Sequence, residues 1–125
     1  MQFLESRELI RRLKEGSPIE IDGDCVRLPR FAEIKETCPS DFGAKGNADL
    51  IVAKARTATW CLWPVDRKTK FSKKDGERFL AILDAVQESI PQKPVKGWVL
   101  TTGPVADDGR ELLTAGGHRV DRVPV

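Results

Sequence analysis

The segment DLIVAKARTATWCLWPVDRK, residues 49–68, decides the fold of this 125-residue chain. It holds two short apolar runs, 49–53 and 57–65, that are rich in β-branched and aromatic residues, as strands are. In the second run, bulky apolar side chains occupy both alternating faces, a pattern typical of a strand covered on both sides. The segment therefore predicts two neighbouring strands inside an α/β sheet. Pro64 removes a backbone donor and predicts that the second strand bulges or ends there.

The flanking sequence supplies the other elements. Before the segment we expect a helix over 3–15, a hairpin of strands 19–21 and 25–28, a strand over 31–37 and a loop over 38–47. After it we expect a helix over 71–89, a strand over 97–103, a helix beginning at Asp107 and a strand over 119–123. This β-α-β-α-β tail predicts parallel pairing with right-handed crossovers. A chain of this length is expected to form a single domain, residues 1–125.

The composition indicates an ordinary globular protein of the cytoplasm. No apolar run approaches the ~18 residues that a membrane span needs, and the N-terminal residues lack the basic and apolar blocks of a secretory signal. Three cysteines (Cys25, Cys38, Cys61) and the single histidine, His118, form no zinc-binding pattern. We expect the cysteines to be reduced and largely buried, and His118 to lie in a solvated turn.

Basic residues are concentrated between positions 54 and 74, although the net charge is only +2. This excess could attract phosphates, or it could be a solvated face. The residues we consider for nucleic-acid binding are Lys54, Arg67, Lys70, Lys73 and Lys74. Three tryptophans could stack on bases, but their apolar surroundings favour core packing, with Trp63 as the expected exception.

Two acids and a lysine bracket the two strands of the opening segment. Asp49 begins the first strand, and Asp66 with Lys68 ends the next. If the strands form a hairpin, both carboxylates lie near one sheet edge, and residues 66 and 68 project to the same side. Such a set suits Mg²⁺, which prefers carboxylate oxygens, water and substrate phosphate as ligands. The lysine could position the attacking water or offset charge on the phosphate.

These residues resemble the PD-(D/E)xK nuclease superfamily, most closely its Mrr-like restriction endonuclease and archaeal Holliday-junction resolvase branches. The resemblance covers about residues 43–123 and includes the Thr101-Thr102-Gly103 turn and the closing strand near Asp121. It implies a restriction-endonuclease-like, three-layer α/β/α fold with a central mixed sheet. By this resemblance Asp49 and Asp66 bind Mg²⁺ (or Mn²⁺), and Lys68 lies at the scissile phosphate.

The resemblance also sets the functional expectation. An acid on the first helix often assists in this family, and Glu5 and Glu8 are the candidates for that role in this chain. The implied activity is metal-dependent cleavage of DNA without a small-molecule cofactor or membrane partner. Nucleases of this type often act as dimers, so a homodimer is expected by resemblance alone. The alternatives are an inactive nuclease fold that binds nucleic acid or a protein partner, and an interaction subunit that docks onto a larger enzyme.

Overall fold

The computed structural model describes residues 6–16, 19–21, 24–26, 29–44, 46, 49–65 and 68–122, and for 6–9, 19–21 and 24–26 it describes the backbone only. The elements in chain order are α1 (Ser6–Glu15), β1 (Ile19–Ile21), β2 (Asp24–Val26), β3 (Phe31–Thr37), β4 (Leu50–Ala55), β5 (Thr59–Val65), α2 (Lys73–Ser89), β6 (Val95–Thr101), α3 (Asp107–Ala115) and β7 (Arg119–Arg122). A short 3-10 helix, Pro39–Phe42, lies in the predicted loop.

Five strands form one mixed sheet in the order β3-β4-β5-β6-β7. The pairs β3–β4 and β4–β5 are antiparallel, whereas β5–β6 and β6–β7 are parallel. The predicted parallel pairing of the tail is therefore confirmed, and so is the central position of β5. The predicted hairpin also forms, since β1 pairs with β2 in a separate antiparallel sheet.

Alternating residues of the strands pack into two separate clusters, one on each face of the sheet. On one face, Val52, Cys61 and Val99 pack with residues of α2 and α3, including Phe79 and Leu113. On the other face, a second cluster joins α1 to the sheet; its buried members are Leu13, Ile51, Leu62, Trp98 and Leu100. The described residues thus form an α/β arrangement that is compatible with three layers.

Pro64 does not interrupt β5, so the prediction of a bulge or strand end at this residue is wrong. The N–H of Thr59 donates to the carbonyl of Pro94, and the N–H of Thr102 donates to the carbonyl of Val65. The backbone N–H and C=O groups of the odd-numbered residues of β5 therefore point toward β6. Those of the even-numbered residues point toward β4, so the N–H that Pro64 lacks would have faced β4. The pairing of β4 with β5 ends at Ile51 and Leu62, so Pro64 lies just beyond this ladder.

Two glycines allow the helices to approach the sheet and each other. A Cβ on Gly97 of β6 would lie 2.6 Å from Phe79 Cε2 of α2, and a Cβ on Gly109 of α3 would lie 2.9 Å from the carbonyl oxygen of Ser72. Ser72 caps α2 together with Asp75, so α2 begins at Lys73 rather than at residue 71. The position of α2 on β6 and α3 is therefore set by close backbone contacts.

The tryptophans differ from the prediction in one respect. Trp63 and Trp98 are buried, and Trp98 Nε1 donates to the Asp121 carboxylate at 2.8 Å. Trp63 packs against Phe71 and Phe79 under α2, so the expectation that it would be the exception is wrong. Trp60 is the half-buried one.

His118 is not a solvated turn residue, which corrects the prediction for it. The side chain is half-buried, and its Nδ1 accepts a hydrogen bond from the backbone N–H of Gly97 at 2.9 Å. Burial lowers the pKa of His118 below its ordinary value of 6.5, while the nearby carboxylate of Asp84 acts in the opposite direction. The neutral imidazole is therefore part of the contact between β6 and the start of β7.

Candidate active site

The candidate site lies at the sheet edge where β3, β5 and β6 end and β4 begins. In the antiparallel register Thr37 pairs with Leu50, and in the parallel register Val65 pairs with Thr101. The antiparallel pairing of β4 with β5 brings the start of the first strand next to the end of the second. This antiparallel arrangement is the one on which the prediction that two acids lie near one sheet edge depends.

Asp49 directly precedes the first residue of β4, and it is exposed. Its neighbour Leu50 is fully buried, so the backbone next to the carboxylate is fixed by the core. Within the part of the chain that the structure describes, no hydrogen bond or ion pair joins the Asp49 carboxylate to another residue.

Val65 is the last described residue before the second acid. Its carbonyl accepts the N–H of Thr102 at 3.0 Å, which fixes the end of β5 against the turn that follows β6. Asp66 and Arg67 come next in the sequence and lie outside the described residues, so the meeting of Asp49 and Asp66 stays a prediction. Lys68 is exposed, and three residues of chain place its Cα within about 11 Å of the Cα of Val65.

The segment after Lys68 is held beside the segment that follows β6. The N–H of Phe71 donates to the carbonyl of Pro104 at 2.8 Å, and the carbonyl of Phe71 accepts the N–H of Ala106 at 2.9 Å. The Phe71 side chain is fully buried, which anchors this connection in the core. Exposed lysines surround the anchor, namely Lys68, Lys70, Lys73 and Lys74.

The first-helix acids remain untested. Glu5 lies outside the described residues, and only the backbone of Glu8 is described. The helix itself packs against β3 and β4. A helix that carries one of the candidate acids, Glu8, therefore contacts β4, the strand that Asp49 precedes.

Lys54 does not join the lysines at this edge. It lies near the other end of β4, and five residues of extended strand separate it from Asp49, about 17 Å. Its Nζ lies 3.4 Å from the carboxylate of Glu33 on β3. The basic run of the sequence is thus divided between two ends of the sheet.

Asp41 is an acid at the same edge that was not predicted from the sequence. Its carboxylate accepts a hydrogen bond from the Thr37 hydroxyl, and a weaker one, at 3.4 Å, from the backbone N–H of Cys38. These hydrogen bonds hold the pKa of Asp41 below its ordinary value. The sequence signal is the Thr-x-x-x-Asp spacing at the end of a strand, which is typical of a local capping turn.

A groove of about 880 Å³ runs beside this edge, between the 3-10 helix and α2. Trp63 lines it, together with Arg78, Asp84 and Glu88 of α2. Two carboxylates and one guanidinium make this wall unsuited to a phosphate chain. The exposed lysines, rather than the groove, are therefore the candidates for phosphate contact.

The donor set at the edge suits a magnesium ion in part. Among the described residues, no three His, Cys, Asp or Glu side chains are close enough to share a metal ion. Mg²⁺ retains several waters and is commonly bound through one or two carboxylates with substrate phosphate, so it does not require three such side chains. Asp49 supplies one suitable oxygen ligand, and the second predicted ligand, Asp66, is outside the described part.

Comparisons with protein-family models, with characterised proteins and with solved structures find no match for this chain. In the described part of the chain, none of the helices combines the length and apolar character needed to cross a membrane.

Proposed function

We propose that this chain is a metal-dependent DNA endonuclease with a restriction-endonuclease-like fold. The observation that carries the proposal is the sheet topology: β4 is antiparallel to β5, so the residue that begins one strand lies beside the end of the other. Asp49 occupies the first position, and Asp66 follows the second strand in the sequence. A helix–sheet–helix arrangement with a mixed sheet is what the proposed fold requires.

In this proposal Asp49 and Asp66 hold Mg²⁺ or Mn²⁺ through carboxylate oxygens. The bound cation would lower the pKa of a coordinated water and offset the charge of the phosphate group. Lys68, exposed near the end of β5, places its ammonium beside the scissile phosphate and stabilises the charge that develops there. Glu8 of α1, or Glu5, which precedes α1 in the sequence, would assist.

The exposed lysines at the same edge support DNA as the substrate. Lys70, Lys73 and Lys74 lie where the chain leaves the sheet and α2 begins, and all three side chains are exposed. Charges of this kind bind the phosphate backbone without reading sequence. Arg67 would extend this surface. Sequence preference would then come from DNA shape or from a partner, including a second copy of the chain.

The same lysines support a second candidate function, binding of nucleic acid without cleavage. This function requires the basic surface and not the carboxylates, and Asp49 is the only member of the predicted acid pair that the structure describes. The two functions differ in their need for metal. Binding through phosphates alone is sensitive to salt and independent of Mg²⁺.

A plasmid-cleavage assay separates these functions. Supercoiled DNA is incubated with the chain in Mg²⁺, Mn²⁺ or EDTA, and nicked and linear products are measured. We expect metal-dependent nicking that falls by at least about 100-fold in Asp66→Asn and in Lys68→Met. The matched control is Asp108→Asn, which removes an exposed carboxylate from α3.

Wild-type protein that binds DNA but yields no product in either metal would favour the second function. Full activity in Asp66→Asn would exclude Asp66 as a metal ligand. A cytoplasmic location is proposed with this activity, since the thiols of Cys38 and Cys61 are both free. Gel filtration of the wild-type chain tests the proposed homodimer.

A further inference from the structure

Three basic side chains meet at the opposite end of the sheet from the candidate active site. Phe31 at the start of β3 pairs with Ala55 at the end of β4, so Arg30 and Arg56 flank this pair. Lys93 reaches the same point from the segment before β6, and its Nζ donates to the carbonyl of Ala55 at 2.7 Å. We refer to Arg30, Arg56 and Lys93 as the basic corner.

The basic corner surrounds a surface depression of about 560 Å³. Phe31 and Ala55 contribute apolar lining, and Lys54 adds a fourth cation beside the corner. The three parts of the chain that form the depression are tied together by the strand pairing and by the Lys93 hydrogen bond. The backbone segments that carry these charges are thus joined by hydrogen bonds next to the depression.

Among the described residues, few acidic side chains lie near the basic corner. Glu33 is the only acid among the described residues that line the depression, and it lies 3.4 Å from Lys54 Nζ. Arg30 and Arg56 are exposed, and within the described part of the chain neither forms an ion pair or hydrogen bond. The partner of Lys93 Nζ is a neutral backbone carbonyl and not a carboxylate.

We propose that the basic corner binds the phosphate backbone of duplex DNA as a second contact, separate from the candidate active site. Guanidinium groups pair with phosphate through two parallel hydrogen bonds, and an anion that bridges Arg30 and Arg56 relieves the repulsion between them. The choice of duplex DNA as the occupant rests on the proposed function. The clustering of the cations is an observation that does not depend on that function.

The separation of the two sites fits a single duplex. Leu50 and Ala55 mark the ends of β4, and five steps of about 3.4 Å place them about 17 Å apart. Phosphates on one DNA strand advance by about 3.4 Å along the helix axis for each base pair. Because a duplex completes one turn in about 10 base pairs, a shift of about five base pairs along β4 turns the first strand away and brings the backbone of the complementary strand to the corner.

The salt dependence of DNA binding tests this contact. Binding of a fluorescently labelled duplex is measured by anisotropy in EDTA, over a series of salt concentrations, for wild type and for Arg30→Gln/Arg56→Gln. Loss of two phosphate contacts should make the slope of log affinity against log salt shallower by about 1.8, because each contact contributes about 0.9. We expect the affinity at about 100 mM salt to fall roughly tenfold.

The control is Lys14→Gln/Lys35→Gln, which removes two exposed cations outside the corner. Its slope should match that of wild type, and thermal melting should confirm that both variants are folded. A corner variant with the wild-type slope, or equal changes in both variants, would overturn the proposal. Because the assay contains no metal, wild-type protein that binds DNA but never cleaves it would overturn the proposed activity and leave the corner result intact.

Discussion

The backbone N–H of Thr102 donates to the carbonyl of Val65 at 3.0 Å. This hydrogen bond joins the turn after β6 to the last residue of β5, directly before Asp66 in the sequence. Thr102 is buried, so the bond is shielded from water. The Thr-Thr-Gly turn and the end of β5, which the sequence suggests as separate features, are therefore parts of one structural unit.

Asp49→Asn should separate activity from stability. Asp49 is exposed and has no hydrogen-bond partner within the described residues, so the free energy of unfolding should change by no more than about 0.5 kcal/mol. Loss of the carboxylate removes a proposed metal ligand, and cleavage should fall by at least about 100-fold. Urea unfolding and plasmid cleavage measure the two effects. A variant that cleaves like wild type would remove Asp49 from the site, whatever its stability.

Gly97→Ala should destabilise the fold by about 1–3 kcal/mol, because the added methyl group meets α2. The new Cβ would lie 2.6 Å from Phe79 Cε2 and 2.7 Å from Leu83 Cδ1, both of which are buried. Chemical denaturation measures the loss.

The double variant Gly97→Ala/Leu83→Ala is the control for this mechanism. Leu83→Ala removes one of the two clashing side chains, so the combined loss should be smaller than the sum of the single losses. Simple additivity would mean that the contact with Leu83 is not a source of the destabilisation.

The central sheet was predictable because its pattern is local. The apolar faces of β5 identify a strand covered on both sides, and a strand–helix–strand tail has the crossover connections that parallel pairing needs. The exact ends were less predictable: Phe71 was expected inside α2, but it bridges Val105 because Ser72 begins the helix cap. Competing contacts of this kind depend on the tertiary fold.

The candidate site was predictable only in part. Adjacent strands place Asp49 beside the end of β5, as expected. The sequence did not predict that the basic residues between positions 54 and 74 would divide between two ends of the sheet. Lys54 and Lys68 lie at opposite ends of the sheet because β5, which lies between them in the sequence, runs from one end of the sheet to the other. The hydrogen bond that His118 accepts could not be predicted from the sequence either. Its donor is the backbone N–H of Gly97, which is 21 positions away and has no sequence signature.

The stability of the protein should fall between pH 7.5 and pH 5 in a way that depends on His118. Its Nδ1 accepts the Gly97 N–H only when it is unprotonated, and its pKa is lowered in the folded state. The unfolded chain therefore binds more protons, so this contribution is fully present above about pH 6.5 and is lost as the pH falls through the folded-state pKa. Asp84, which favours the protonated form, reduces the effect.

His118→Gln is the control for this pH dependence, because glutamine can accept a hydrogen bond but does not titrate. Urea unfolding of both proteins across this pH range measures the difference. The wild-type loss of stability at low pH should exceed that of the variant. Parallel pH profiles would assign the acid sensitivity to other groups.

Cys61 should be unreactive in the folded protein. Its side chain lies on the α2 face of β5, is 0% exposed and belongs to the main core cluster. Burial raises the pKa of this thiol to about 12, so almost no thiolate, the reactive form, is present at pH 8. In a Cys25→Ser/Cys38→Ser variant, Cys61 is the only thiol, and a disulfide reagent should label it only after urea is added.

The single-thiol variant that retains Cys38 instead provides the comparison. Cys38 is half-buried at the end of β3, so it should react in the native protein. Because Cys61 is covered by α2, its labelling rate in native buffer reports how often this helix separates from the sheet. The Gly97→Ala substitution weakens the same contact and should therefore accelerate labelling of Cys61 without changing that of Cys38. Rapid labelling of Cys61 in the otherwise unaltered fold would show that α2 does not seal this face.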